Sequence, residues 1–257
     1  MDFFVRVGHI ILRFLRATGR LGLFTAQAIY NCFTPPLYFK QIIEQLVEIG
    51  FYSLPVVALT TFFSGAVIAL QTYEGFSQFS AESSVALVVL IAVLRELAPV
   101  MAGLMVAGRI GAAMAAEIGT MRVTEQIDAM ITLSTNPFKY LIVPRILVSV
   151  IILPVLVLIG DVIGICGGYL VGIYKLDFNS VSYLNSTWTN LTTGDITTGM
   201  VKAAVFGFIV ALLGCYHGFN SKGGAQGVGS ATTNAVVSAS ILILIANYIL
   251  TELFFKG

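Results

Sequence analysis

The chain has 257 residues, of which 57% are hydrophobic and only 11% carry a charge. A soluble domain usually carries about 25% charged residues, and here the deficit runs along the whole chain, so the composition excludes a soluble protein and indicates a membrane protein. The net charge of +1 leaves no basic domain that could grip a phosphate backbone, and we expect no nucleic-acid partner.

The chain begins with two amphipathic segments that precede any apolar stretch. Arg6, Arg13, Arg16 and Arg20 recur on one helical face, opposite an apolar face. This pattern is typical of a helix that lies in the membrane interface with its basic side toward lipid headgroups. A basic helix packed on a soluble partner is the alternative. A second, short amphipathic helix is predicted over residues 37–48.

Five apolar stretches are each predicted to cross the bilayer, whose hydrocarbon core is about 30 Å thick. Five Lys and Arg residues precede the first stretch, four lie between the second and third, and one lies between the fourth and fifth. The connection between the first and second stretches has none, and the one between the third and fourth has Lys175, with Lys202 at its far margin. By the positive-inside rule this places the N-terminus in the cytoplasm and the C-terminus outside. In chain order the predicted spans are residues 49–73, 83–108, 146–174, 203–216 and 234–254.

The predicted fold is an all-α polytopic membrane protein that forms one domain over residues 1–257. Residues 1–48 form the interfacial helices, and residues 49–254 hold the five transmembrane helices. Between the second and third spans, residues 117–130 carry frequent charges and predict an amphipathic cytoplasmic helix. Such a helix is either a solvated face or a docking surface for a soluble subunit.

The strongest functional signal is the charged pair Arg95-Glu96 at the centre of the second span, with 12 uncharged residues on each side. A charge near the bilayer midplane costs at least about 2.5 kcal/mol, so the pair needs a partner or a water-filled path. Asp161, in the third span, is a candidate counter-ion of Arg95, and Glu96 is the alternative. Pro99 predicts a kink just beyond the pair. Both a register-fixing charge network and a substrate-lining site remain open for these residues.

Several catalytic motifs are absent from the sequence. It contains no GxxxxGK[ST] loop for ATP, no GxSxG and no HExxH. We therefore expect neither an enzyme nor a bound metal or cofactor. The main alternative from another class is a proton-coupled secondary transporter that uses Glu96 and Asp161 as a relay and works as a lone chain.

A family resemblance is carried by two long motifs. The first is LRELAPVMAGLMVAGRIGAAMAAEIGTMRVTEQIDAM (94–130), followed by Asn136-Pro137, and it resembles the MlaE/YrbE permease family of ABC transporters. The second, GVGSATTNAVVSAS (227–240), is similar to another signature of that family. The resemblance implies a homodimeric permease that moves phospholipids between the inner and outer membranes of a bacterial envelope, with its C-terminus in the periplasm.

The resemblance also implies partners. Two cytoplasmic ABC ATPase subunits would bind ATP and Mg, so the permease itself would hold no cofactor. A hexameric ring of MCE-domain lipid-binding proteins would lie on the other side of the membrane, and a STAS-domain regulator often accompanies the ATPase.

Site residues follow from the resemblance by matched position. Arg95 and Glu96 correspond to a polar pair that lines the family's lipid cavity, and Leu70 and Tyr73 to the cavity-facing end of the first span. The residues that match the helix contacting the ATPase are Glu117, Met121, Arg122, Glu125, Gln126 and Asp128.

Overall fold

The computed structural model describes residues 2–36, 38–76 and 83–255. Two parts of the sequence predictions lie outside this description. The side chains of Arg6 and Arg13, on which the predicted basic face partly rests, are not among those described, and neither is Leu37, where the second helix was predicted to begin.

All regular secondary structure in the described ranges is helical, with long helices joined by short connections. Three π-helical segments, Val93–Leu97, Ala107–Gly111 and Phe138–Ile142, interrupt or precede the α-helices. In chain order the α-helices are α1 (Asp2–Cys32), α2 (Phe39–Ile49), α3 (Leu54–Phe76), α4 (Ser83–Ala92), α5 (Ala98–Val106), α6 (Ala112–Val123), α7 (Gln126–Thr132), α8 (Val143–Tyr174), α9 (Ser180–Asn190), α10 (Thr193–Phe219) and α11 (Gly224–Phe255).

Within the described residues, five continuous helical stretches are long and apolar enough to cross a membrane. This confirms the all-α polytopic fold. Each stretch is longer than the apolar run that predicted it, because the helices continue past the uncharged residues. The five spans are Phe39–Phe76, Ser84–Val123, Phe138–Tyr174, Thr193–Phe219 and Gly224–Phe254.

The fourth span begins at Thr193 and not at the predicted residue 203. Lys202, predicted at the margin of an outside loop, is a fully buried residue within α10. Asp195, in the first turn of α10, is also buried. The helix takes up these charged residues because neighbouring spans supply their partners, as described below.

Glycines set the closest contacts between spans. A Cβ atom on Gly65 of the first span would overlap the carbonyl oxygen of Gly164 in the third, and one on Gly167 would overlap the carbonyl oxygen of Phe62. Gly207 of the fourth span meets the carbonyl oxygen of Ser149 in the same way. Small residues let helix backbones approach closely in a membrane, where packing replaces the hydrophobic drive of water.

An aromatic cluster docks α1 onto the bundle. The ring of Phe24 lies 5.2 Å from that of Phe138 at the start of the third span, and 5.4 Å from that of Tyr216 near the end of the fourth. These ends of the two spans flank α7, so α1 packs at the same end of the molecule as the connection between the second and third spans.

That connection is not the single helix predicted over residues 117–130. The second span continues to Val123, and Glu125 then adopts a left-handed backbone conformation with φ of 61° before α7 begins. A left-handed residue ends an α-helix, so the segment is a helix–turn–helix. Arg122 Nη1 donates a hydrogen bond of 2.6 Å to Asp128 Oδ1 across the turn.

We predict that Gly167→Ala destabilises the protein by about 1–3 kcal/mol, because the added methyl group forces the first and third spans apart. The thermal unfolding midpoint of the detergent-purified protein measures this effect. Gly229→Ala is the matched control, since no atom lies within 4 Å of a Cβ at that position in α11. Equal midpoints for the two variants would contradict the close backbone contact.

Candidate functional site: an ionic cavity between the second, fourth and fifth spans

The site begins with a defect in the second span. Arg95 and Glu96 lie in the π-helical segment Val93–Leu97, directly before α5, and Pro99 lies in the first turn of α5. Proline has no N–H, so it cannot donate to the carbonyl oxygen four residues earlier, which belongs to Arg95. A buried carbonyl without a donor is costly in a membrane. The sequence therefore creates an acceptor that some other group must satisfy.

Lys202 supplies the missing donor from the fourth span. Its Nζ lies 2.8 Å from the carbonyl oxygen of Arg95, 2.8 Å from Glu96 Oε1 and 2.8 Å from Thr251 Oγ1. These three contacts match the three N–H donors of an ammonium group. The Lys202 side chain is 0% exposed. One buried cation thus joins the second span, the fourth span and the fifth.

Glu96 is held from the fifth span as well. Asn247 Nδ2 donates a hydrogen bond of 2.9 Å to Glu96 Oε2, and Thr251 Oγ1 lies 3.1 Å from Glu96 Oε1. Asn247 and Thr251 are four residues apart in α11 and therefore lie on the same helix face. Both carboxylate oxygens of Glu96 consequently have partners.

Arg95 pairs with Asp195, so the predicted Arg95–Asp161 ion pair is wrong. Arg95 Nε donates to Asp195 Oδ1. Thr192 is the N-cap of α10: its hydroxyl accepts from the Asp195 N–H and donates to Asp195 Oδ2. The prediction failed because Asp195 precedes the predicted start of the fourth span and therefore was not among the acids expected within the membrane.

The two ion pairs border a cavity of about 180 Å³. It lies where α10 begins and α11 ends, at the opposite end of the molecule from α7. Lys202 and Asp195 are 0% and 3% exposed, whereas Arg95 and Glu96 are 38% and 40% exposed. The fourth-span charges are therefore structural anchors, and the second-span charges are the ones that a ligand can reach. Thr198 and Phe254 also line the cavity.

The exposed guanidinium has binding capacity left over. Arg95 donates to Asp195 through Nε. Its two Nη groups make no hydrogen bond within the described part of the chain. A guanidinium forms paired hydrogen bonds with phosphate or carboxylate oxygens. The cavity is thus suited to the anionic headgroup of an amphiphile.

The other predicted substrate residues lie apart from this cavity. Leu70 and Tyr73 are half-buried and are not among the residues that line it. The Tyr73 ring instead packs 5.6 Å from that of Phe178. Glu96 and Asp161, the proposed proton relay, line two different cavities, so the structure gives the relay no direct support.

Sequence reasoning missed the four residues that complete the site, namely Asp195, Lys202, Asn247 and Thr251. One signal was available for the first of them. Thr192-Thr-Gly-Asp195 has the spacing of a capping box, which marks a helix start. Reading it would have moved the start of the fourth span to residue 193 and brought both Asp195 and Lys202 into the membrane region.

At the far end of the molecule, the predicted coupling residues surround the turn between α6 and α7. Glu125, Gln126 and Asp128 are exposed, and Met121 is partly buried against the core. Glu117 already has a partner within the chain, because its Oε2 lies 2.7 Å from Nη2 of the buried Arg145. An internal ion pair therefore holds the helix that leads into the turn, and the turn itself exposes a charged surface.

Comparison with known proteins fits this architecture. The family model described as Permease MlaE matches residues 42–253. The chain belongs to the MlaE permease family. A probable ABC transporter permease protein of Rickettsia bellii is 62% identical over 250 residues, which cover 97% of this chain and 96% of the relative.

Two more distant relatives carry more specific names. The intermembrane phospholipid transport system permease protein MlaE of Haemophilus influenzae is 34% identical over 256 residues, covering 99% of this chain and 98% of the relative. The chloroplastic protein trigalactosyldiacylglycerol 1 of Arabidopsis thaliana is 35% identical over 237 residues, covering 91% of this chain and 67% of the relative.

We predict that Lys202→Met costs about 3–5 kcal/mol of stability, because it leaves a buried carbonyl without its donor and Glu96 without its counter-ion. Adding Glu96→Gln to this variant should restore part of the loss. Denaturant unfolding in detergent measures both effects. Lys222→Met is the control, because Lys222 is exposed between the fourth and fifth spans, and we expect a change within about 0.5 kcal/mol. Equal losses at residues 202 and 222 would contradict the anchoring role.

Proposed function

We propose that the chain is the permease subunit of an ABC transporter that moves phospholipids between the inner and outer membranes of a bacterial envelope. A separate ATPase subunit hydrolyses the ATP and holds the Mg ion. Membership of the MlaE permease family and the name of the Haemophilus relative support this proposal.

The observation that carries the proposal is the ionic cavity. A cavity that is lined by an accessible guanidinium and flanked by apolar spans is complementary to an anionic amphiphile. The phosphate would bind Arg95, and the acyl chains would pack against the surrounding helices. Arg95 pairs with Asp195, and Lys202 pairs with Glu96, so the four charges cancel. This pairing offsets the cost of burying Arg95 in the membrane when no lipid is bound. A lipid phosphate would then bind the Nη groups of Arg95, while Asp195 keeps its contact with Nε.

The proposed orientation places this cavity beside the periplasm. The N-terminus would be cytoplasmic and the C-terminus periplasmic in the inner membrane, as the distribution of Lys and Arg indicates. Because α11 ends at the cavity, the lipid site would face the outer leaflet. A ring of six MCE-domain proteins on the periplasmic side would be positioned to exchange lipid with it.

The proposed assembly is a homodimer bound to two ATPase subunits, with a STAS-domain regulator as an optional partner. The fifth span supports dimerisation, because it is the least buried span and exposes a continuous apolar face that includes Ile241, Leu244, Ile245 and Tyr248. A second copy on this face would bring two ionic cavities close together.

The α6–α7 turn is the proposed contact with the ATPase. It lies at the end of the second span, and the first half of the same span carries Arg95 and Glu96. Movement of the turn would therefore reach the cavity along one helix. The ion pair between Arg122 and Asp128 bridges the turn.

We predict that Glu125→Lys abolishes ATP-dependent phospholipid transport while leaving folding and membrane insertion intact, because Glu125 is exposed at the turn. The assay uses proteoliposomes that contain the permease with its ATPase subunits and follows fluorescent phospholipid transfer and ATP hydrolysis together. Glu44→Lys in α2 reverses a charge at another exposed position and serves as the control. Unchanged transport by Glu125→Lys would refute the docking surface, and ATP-independent transport by the permease alone would refute the ABC mechanism.

A further inference from the structure

A second and larger cavity lies between the second, third and fourth spans and α9. Its volume is about 520 Å³, within the range of about 300–1,000 Å³ that is usual for small-molecule sites. It is lined mostly by aliphatic side chains, including Leu90 and Leu94 of the second span and Ile196 of the fourth. The ionic cavity described above is lined by none of these residues.

One wall of this apolar cavity carries a carboxylic acid. Leu158, Asp161, Val162 and Ile165 of the third span all line it, and their spacing of three, four and seven residues places them on one helix face. The opposite face of the same helix, which carries Gly160 and Gly167, is packed against the first span. The fold therefore directs Asp161 to the cavity side.

Asp161 is 4% exposed, and its Oδ1 is buried with no hydrogen-bond partner in the described part of the chain. An unsatisfied buried polar atom costs about 1–3 kcal/mol, and more when it is charged. The neighbouring ionic residues do not offset this cost, because Arg95 and Lys202 bond to Asp195 and Glu96. A ligand in the cavity that carries a hydrogen-bond donor would satisfy Asp161 directly.

We propose that this cavity binds an amphiphile with a single alkyl chain and a primary ammonium group, and that the ammonium donates to Asp161. The aliphatic walls accept the chain, and the carboxylate selects a cationic donor over an anion. The polar residues Asn185 and Thr187 of α9 also line the cavity. This site is independent of phospholipid transport, since it uses none of the residues of the ionic cavity.

The chain carries its own reporter for this binding. Trp188 is the single tryptophan of the sequence and lines the cavity. Bromine quenches indole fluorescence on contact, so 12-bromododecylammonium bound in the cavity would quench Trp188. Because Trp188 is 79% exposed, the brominated probe is held at a low fixed concentration in detergent, and unbrominated dodecyl compounds are titrated against it.

We predict that dodecylammonium relieves the quenching at a lower concentration than dodecyltrimethylammonium, which has the charge but no N–H donor, or dodecyl sulfate, which has the opposite charge. Asp161→Asn should weaken the dodecylammonium competition by roughly tenfold or more, the loss expected for a charge-assisted hydrogen bond. Asp177→Asn, an exposed acid that does not line this cavity, should leave it within about twofold. Ile165→Phe should weaken all three compounds by reducing the cavity volume.

Two results would overturn the proposal. Equal competition by the ammonium, trimethylammonium and sulfate compounds would show that the cavity accepts any alkyl chain without recognising a donor. Unchanged competition in Asp161→Asn would show that the carboxyl group takes no part. Both readouts are equilibrium binding by the permease alone, so neither depends on whether the chain transports phospholipid.

Discussion

The contact between the Lys202 ammonium and the broken turn at Arg95-Glu96 is the constraint on which the site depends. Pro99 has no N–H to donate to the carbonyl oxygen of Arg95, and Lys202 of the fourth span donates to that oxygen through its side chain. The same ammonium neutralises Glu96 and reaches the fifth span through Thr251. A membrane offers no water to repair such a defect, so the three spans must stay together, and the cavity beside them is preserved.

Two kinds of contact hold the bundle together. The first and third spans meet through glycines whose backbones touch, which leaves little freedom for relative movement. The fourth span meets the second in the same way at Gly199, Gly214 and Gly218, each of which lies against a carbonyl oxygen of the second span. Around the cavity, ionic and polar side chains add contacts among the second, fourth and fifth spans. Long side chains can adjust to a ligand, whereas touching backbones cannot, so the adjustable contacts are those around the cavity.

The sequence was sufficient for the fold but not for the complete site. Apolar length and charge distribution predicted five spans, and Arg95 and Glu96 stood out because nothing near them in the sequence could offset their cost. Their partners were harder to predict, because Asp195 and Lys202 lie a hundred residues away in a segment rich in Ser, Thr and Asn that resembles a loop. A hydropathy index lowers the score of a charged residue even where a neighbouring helix supplies its ion-pair or hydrogen-bond partner. The same limit applied at Glu125, where a single left-handed residue divides a segment whose charge pattern indicated one helix.

The most direct test places a photo-crosslinking amino acid at Thr198, which lines the ionic cavity, and another at Val155, an exposed position on the third span outside it. The permease is studied with its ATPase subunits in phospholipid vesicles. We predict that Thr198 captures phospholipid without ATP and that the yield falls during ATP turnover, while capture at Val155 does not change. Absence of lipid at Thr198, or a yield there that follows Val155 with and without ATP, would contradict a lipid headgroup site beside Arg95.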